Sequence, residues 1–143
     1  MQIKGLNTVI SNLRRYGVEA SKDIEAVTEQ VARNIEKNAK INAPANFGTL
    51  GGSILAIKET PLNWKIQADS NNLAPYAPFV EFGTGGLVEV PTELKEQAIK
   101  FKGKGIKKVN LRARPYLYPA LLQGRIEYLD KLKKLLKKYG TTK

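Results

Sequence analysis

Apolar side chains return every three or four positions in two stretches near the start of the chain and in one near its end. Leu6, Val9, Ile10 and Leu13 form the first set; after Gly17, Ile24, Val27, Val31 and Ile35 form the second, with polar residues opposite. That spacing predicts two amphipathic helices. The second should stop near Asn42, because Pro44 disfavours helical geometry at Ala43 and has no amide hydrogen to extend the ladder. Leu122, Ile126, Leu129, Leu132 and Leu136 predict a longer helix over about 119–138.

Between these helices the pattern changes. APANFGTLGGSI reads as a Gly-rich loop feeding a strand at 53–58, which pairs with a strand at 63–68 across the turn sequence ETPLN. The run YAPFVEFGTGG (76–86) reads as a third strand, with Tyr76, Pro78, Val80 and Phe82 on one face and Ala77, Phe79 and Glu81 on the other. Ile54, Ala56, Trp64, Ile66, Val80 and Phe82 would form the apolar face of the sheet. Pro91 and Thr92 mark a short helix start, with Leu94, Ala98 and Phe101 along one side. The expected fold is α+β: a small antiparallel sheet packed against a long N-terminal helix and a C-terminal helix, in a single domain over 1–143.

Composition narrows the chemistry. A chain of 143 residues, 42% of them apolar, suits one buried core. It has no cysteine and no histidine, which removes disulfides, thiolate nucleophiles, imidazole bases and nearly every zinc site. Asp23, Asp69 and Asp130 are widely separated, so no metal cluster is visible, and neither catalytic residues nor a cofactor are expected. No apolar run approaches a membrane span, and the N-terminus lacks an export signal, so synthesis in the cytoplasm and no membrane partner are expected. The net charge of +11 suits an acidic partner or simply solubility. Charge is most lopsided from Gln97 to Ile126, where Lys100, Lys102, Lys104, Lys107, Lys108, Arg112, Arg114 and Arg125 meet no acidic residue. Self-repulsion should keep residues 102–108 mobile until an anion orders them.

Several short strings mimic known sites. GTGGLV lacks the third glycine of a dinucleotide fingerprint and a suitably placed acidic residue, and KGKGIKK lacks the Lys-Ser/Thr pair of a phosphate loop. ELK at Glu93, with Asp69, could be a nuclease fragment, but a solvated helix start explains it more simply. KLKKLLKK has the amphipathicity of a membrane-surface helix, yet its stripe continues that of the preceding turns and suits packing on the domain's own core.

Three elements carry more information together. AP-x-x-x-G-x-L-x-x-SI (43–54), YA-x-x-VEFGT (76–84) and RP-x-L-x-PAL (114–121) occur in that order, after a Gly5-Leu6 start and a long helix. Together they resemble the tail-component, or head-tail connector, family of long-tailed bacteriophages and prophages, represented by gene product ten of a lambdoid phage. The chain departs from the family pattern at Asn46, where an Asp is usual, and at Gly51, where an Arg is usual.

The resemblance implies a non-enzymatic structural protein of the virion neck or tail, assembling as a homo-oligomeric ring at the portal-tail junction and remaining a monomer when isolated. Its partners would be other neck, tail or portal-connector proteins. Interface or structural roles fall on Pro44, Gly48, Leu50, Ser53, Tyr76, Glu81, Phe82, Gly83, Thr84, Arg114 and Pro115, with copies meeting through sheet edges and these loops. Lys100, Lys102, Lys104, Lys107, Lys108 and Arg112 are candidates for non-specific contact with DNA or an acidic partner. The alternative from another class is a basic nucleic-acid-binding module or small nuclease using the same segment. Glu81 has two readings. It is a solvated residue on the outer face of the third strand, or, as the resemblance implies, the partner of Arg114 or Arg112, with Gly83 turning the chain away through positive φ.

Overall fold

The computed structural model describes residues 7, 8, 10, 11, 17–45, 48–84, 92–94, 96 and 112–140. In chain order these form α1 (Val18–Asn42), α2 (Gly48–Ser53), β1 (Leu55–Thr60), β2 (Asn63–Gln67), α3 (Ala77–Phe82), a 3-10 turn (Thr92–Leu94) and α4 (Leu117–Gly140). The first predicted helix falls largely outside the described residues, although Asn7, Thr8, Ile10 and Ser11 are helical. The continuation of the Thr92 helix through Ala98 and Phe101 lies outside them as well, as does the basic stretch 102–108.

Helices α1 and α4 run antiparallel and build most of the core. Ile24, Val31, Ile35 and Ala39 from α1 meet Ala120, Tyr128 and Leu132 from α4. Polar contacts fix the register along the seam. Tyr139 Oη donates to Asp23 (2.5 Å), Thr28 and Tyr128 share a hydroxyl hydrogen bond (2.8 Å), and Asn34 Nδ2 donates to Glu127 (2.9 Å). The predicted face of α4 is buried only towards its C-terminal end: Leu132 is fully buried and Leu136 packs partly buried on the core, but Leu122 is 37% and Ile126 71% exposed. In the first half of the helix Ala120, Gly124 and Tyr128, four residues apart and in line with Tyr116 before them and Leu132 after, turn inward. At Gly124 the missing side chain makes room for the Ile35 side chain of α1, so the seam there follows shape rather than apolar bulk.

The sheet is one antiparallel hairpin, pairing Leu55 with Gln67, Ala56 with Ile66, Ile57 with Lys65 and Lys58 with Trp64. Alternation sends Ala56, Trp64 and Ile66 towards the helices and leaves Ile57 and Lys65 outward. Trp64 also lies under two cations, Arg33 at 5.0 Å and Lys58 at 5.9 Å from its ring centre. On the side of β1 away from β2, the Ala56 N–H donates to Glu36 Oε2 (2.9 Å), so a carboxylate from α1 occupies that edge position.

Glu36 is held further by Lys40 (2.6 Å) and Arg33 (3.5 Å). Burial alone would push its carboxyl up, but the Lys40 and Ala56 donors, with the charges of Lys40 and Arg33, outweigh burial and hold it below the usual glutamate range. A depressed acid stabilises the fold above its ordinary range and loses that contribution as pH falls through the depressed value. Glu36→Gln should therefore cost about 1 kcal/mol, or about 2–4 °C in Tm, above about pH 5. Thermal melts at decreasing pH should show the two proteins converging; a constant gap would mean that the charge of Glu36 is not involved.

The third strand expected at 76–82 does not form. Residues 77–82 are helical, with Pro78 in the first turn and Gly83 closing the helix at φ 69° as its N–H donates to Phe79 O (2.9 Å). Ala77, Val80 and Glu81 are the buried residues, an i, i+3, i+4 set that belongs to a helix face. Residues 48–52, expected as a loop, and Ser53, expected to open the first strand, form α2, which buries Leu50 and Ser53.

Candidate functional site

Helix α4 starts without a capping side chain of its own. The residues before it are Arg114, Pro115 and Tyr116, and none is Ser, Thr, Asp or Asn. The first amides of a helix have no partner within it and form its partly positive end. Here α3 supplies the missing acceptor. Glu81 Oε2 accepts the Tyr116 N–H (2.9 Å) and the Leu117 N–H (3.0 Å), while Oε1 accepts the Tyr118 N–H (3.0 Å). The carboxylate is 7% exposed, so the contact is made largely out of water.

Both readings of Glu81 drawn from the sequence are corrected by this geometry. Glu81 is neither a solvated residue on a strand nor the ion-pair partner of Arg114 or Arg112; among the described residues it makes no ion pair, and both arginines are exposed. Arg114 contributes its backbone instead, its N–H donating to Val80 O (2.8 Å). The pairing fails because the helical turn at 77–82 aims Glu81 at backbone amides that no nearer group can satisfy.

Around this contact the other elements converge. The Tyr116 ring is 1% exposed, and its hydroxyl donates to Ala77 O (3.3 Å). Burial, followed by the negative charge of Glu81, raises the pKa of that hydroxyl, which stays protonated as a donor. Asn42, at the end of α1, donates to Tyr116 O (3.4 Å). Ser53 is fully buried and ties α2 to the loop after β2. Its Oγ donates to Leu50 O (2.7 Å) and accepts the Asp69 N–H (3.0 Å), while its carbonyl accepts the Ser70 hydroxyl (2.7 Å). Asp69, at φ 56°, accepts the Ala74 N–H (2.7 Å) and shapes the approach to α3. Tyr76 and Thr49 share a hydroxyl hydrogen bond that links α2 to the start of α3.

The three sequence elements thus meet at one end of the α1–α4 pair. Leu50, Ser53, Glu81 and Gly83 are buried there; Pro44, Tyr76, Phe82 and Thr84 are half-buried; Gly48, Arg114 and Pro115 are exposed. Arg112 lies at the surface, while Lys100, Lys102, Lys104, Lys107, Lys108 and Asn46 fall outside the described residues. Sequence reasoning did not single out Tyr116 and weighed Asp69 only for a nuclease, not for the turn it shapes. The signal for the junction was the uncapped start of α4, which requires an acceptor from elsewhere in the chain.

Among the described residues no group of His, Cys, Asp or Glu could hold a metal ion, and no helix is long and apolar enough to cross a membrane. The Asp69 carboxylate considered for a nuclease is occupied in its turn, and Glu93 accepts the Tyr118 hydroxyl at 3.5 Å.

The family described as "Bacteriophage HK97-gp10, putative tail-component" matches residues 7–83, more than half of the chain. The chain belongs to this family. The match contains the first sequence element and the second as far as Gly83, Glu81 included; the amides that Glu81 receives lie beyond it, at 116–118. No curated protein and no solved structure matches the chain. Membership of this family makes the chain a structural tail component of a bacteriophage, and at the junction the hydrogen bonds of Glu81 join α3 to the start of α4.

Proposed function

We propose that this tail component is a neck or tail protein of the virion that joins head to tail or completes the tail, assembling as a ring at the junction between portal and tail tube and turning over no substrate. Membership of the tail-component family carries this reading. The junction supports it: a buried carboxylate holding the start of α4 makes the end of the helix pair a fixed platform, which suits repeated contacts between copies. A ring repeats one heterologous contact until it closes. Closure would depend on the portal or tail surface, so that free copies stay monomeric. The basic interval, Lys100 to Arg112, would touch passing DNA through phosphates, with affinity falling steeply as salt rises.

Tails made without this protein test the reading. Adding the purified chain should place a ring at the tail end in negative-stain micrographs and restore joining to filled heads. Tails that join heads equally well without it would refute the assignment. A monomer that shifts duplex DNA while leaving tails untouched would instead favour a nucleic-acid-binding module.

A further inference from the structure

The hairpin has two outer edges, and α1 guards the one on β1 with Glu36. In an antiparallel pair, residues that exchange backbone hydrogen bonds alternate with residues whose N–H and C=O groups point away from the partner strand. The Ala56 N–H leaves β1 on the side away from β2, and this fixes the alternation. Leu55 with Gln67 and Ile57 with Lys65 are the bonded pairs; Ala56 with Ile66 and Lys58 with Trp64 are the others. The N–H and C=O groups of Trp64 and Ile66 therefore point outward from the free side of β2. Among the described residues none bonds them, and the sheet stops there at two strands. Such an edge is a template for a further strand.

Charge decides what kind of strand. Lys65 is exposed on the outward face of the sheet. Lys58 is exposed on the other face, and its ammonium reaches across to lie 5.9 Å from the centre of the Trp64 ring, above β2 rather than its own strand. Neither lysine makes an ion pair with any described residue. Glu59, the only acid between Leu55 and Gln67, receives the Asn63 side chain at the turn (2.9 Å). A lysine on an edge strand discourages pairing with a like edge, and β2 of a second copy would bring Lys58 and Lys65 towards their own kind. Against carboxylates the same charges attract. A phosphate backbone offers acceptors only, so it leaves the outward C=O groups unanswered. Trp64 adds a further demand: its indole N–H is shut off from water and has no acceptor among the described residues, a costly state that a strand laid beside it, rich in acceptors, can relieve.

We propose that the free edge of β2 takes an extended acidic segment of a partner protein as a third strand, with carboxylates meeting Lys65 on the outward face and Lys58 beside Trp64. Main-chain hydrogen bonds to Trp64 and Ile66 supply the affinity, and the two lysines select the sequence. The contact holds whether or not copies of the chain close into a ring.

The chain has a single tryptophan, so the edge carries its own reporter. A short peptide alternating valine and glutamate is titrated into the full-length protein, a valine–lysine peptide serves as control, and amide exchange is followed in the same samples. The acidic peptide is expected to shift the Trp64 emission and to slow exchange at Trp64 and Ile66 about tenfold or more. Lys65 and Gln67, already bonded to β1, should change little. Lys58→Glu with Lys65→Glu, both at exposed positions, should leave Tm in place and weaken binding of the acidic peptide at least about tenfold. The Trp64 and Ile66 amides should also become protected when the chain is bound to tails made without it. Equal binding of the two peptides, or no response to the acidic one, would overturn the proposal. Protection that grows with the concentration of the free protein would assign the edge to a second copy, and protection by duplex DNA would make it a phosphate site; either result overturns it. Tails that bind the chain while both amides stay unprotected would leave the neck reading intact and remove the edge contact. A chain that binds the acidic peptide but no tail would do the reverse.

Discussion

Replacing Glu81 by alanine is expected to lower stability by about 2–4 kcal/mol, read as a reduced urea midpoint with an unchanged m-value. Three amides lose their acceptor at once, and the one on Tyr116 belongs to a residue 1% exposed, where little water can replace it. Glu81→Gln should fall between wild type and alanine: one oxygen still accepts, but the amide nitrogen is a donor facing donors, and the attraction between anion and helix start is gone. Glu81→Asp shortens the reach from α3 and should resemble alanine more than wild type. A charge swap, Glu81→Arg with Arg114→Glu, should be no more stable than Glu81→Arg alone, because Arg114 acts through its backbone N–H. Rescue by that swap, or by the equivalent swap with Arg112, would restore the ion-pair reading and contradict the cap. A Glu81→Ala protein as stable as wild type would show that the α4 amides find another acceptor.

At Gly124 the seam leaves no room for a side chain. A Cβ there would lie 2.2 Å from Ile35 Cγ1 and 2.5 Å from its Cδ1, so Ile35 or the helices themselves must move. Gly124→Val is expected to cost about 3 kcal/mol, at the upper end of overpacking penalties, since its branched side chain adds to the clash and gains little helix propensity. Gly124→Ala should cost less, because alanine recovers about 1 kcal/mol of helix propensity. Pairing Gly124→Ala with Ile35→Ala removes the obstructing atoms, and the double mutant should be more stable than the sum of the single effects allows. Strict additivity in urea titrations would place the strain elsewhere.

The parts of the fold governed by long periodicity could be read from the sequence. Ile24, Val27, Val31 and Ile35 marked α1, and Pro44 marked its end, because a stripe sustained over several turns has one simple explanation. The hairpin was legible for a similar reason, with a turn sequence between two alternating runs. Residues 76–82 were not, since a seven-residue apolar run satisfies both periods; Pro78 in the first turn was the cue favouring a helix. Glycines concealed α2 and the α4 seam. Three of the six residues of α2 are glycine, so tertiary burial of Leu50 and Ser53 overrides propensity there, and at Gly124 the absence of a side chain is itself the packing feature. At the junction, the motif residues could be read as a set, but their chemistry could not. The partners of Glu81 are backbone amides, which leave no mark on the sequence beyond the missing cap.

The antiparallel pairing of α1 with α4 also sets a schedule on the ribosome. Thr28 and Tyr128 are 100 residues apart, so the apolar stripe of α1 emerges about 5–20 s before the helix that covers it. The hairpin, α2 and α3 are made in that interval, and Leu50, Ile54, Ala77 and Val80 can gather on α1 before α4 exists. Glu81 is then a solvated carboxylate on a half-built core. Its first amide partner lies 35 residues later, about 2–7 s of synthesis, and the arrival of Tyr116 starts α4 at the place where its far end will reach back to Asp23.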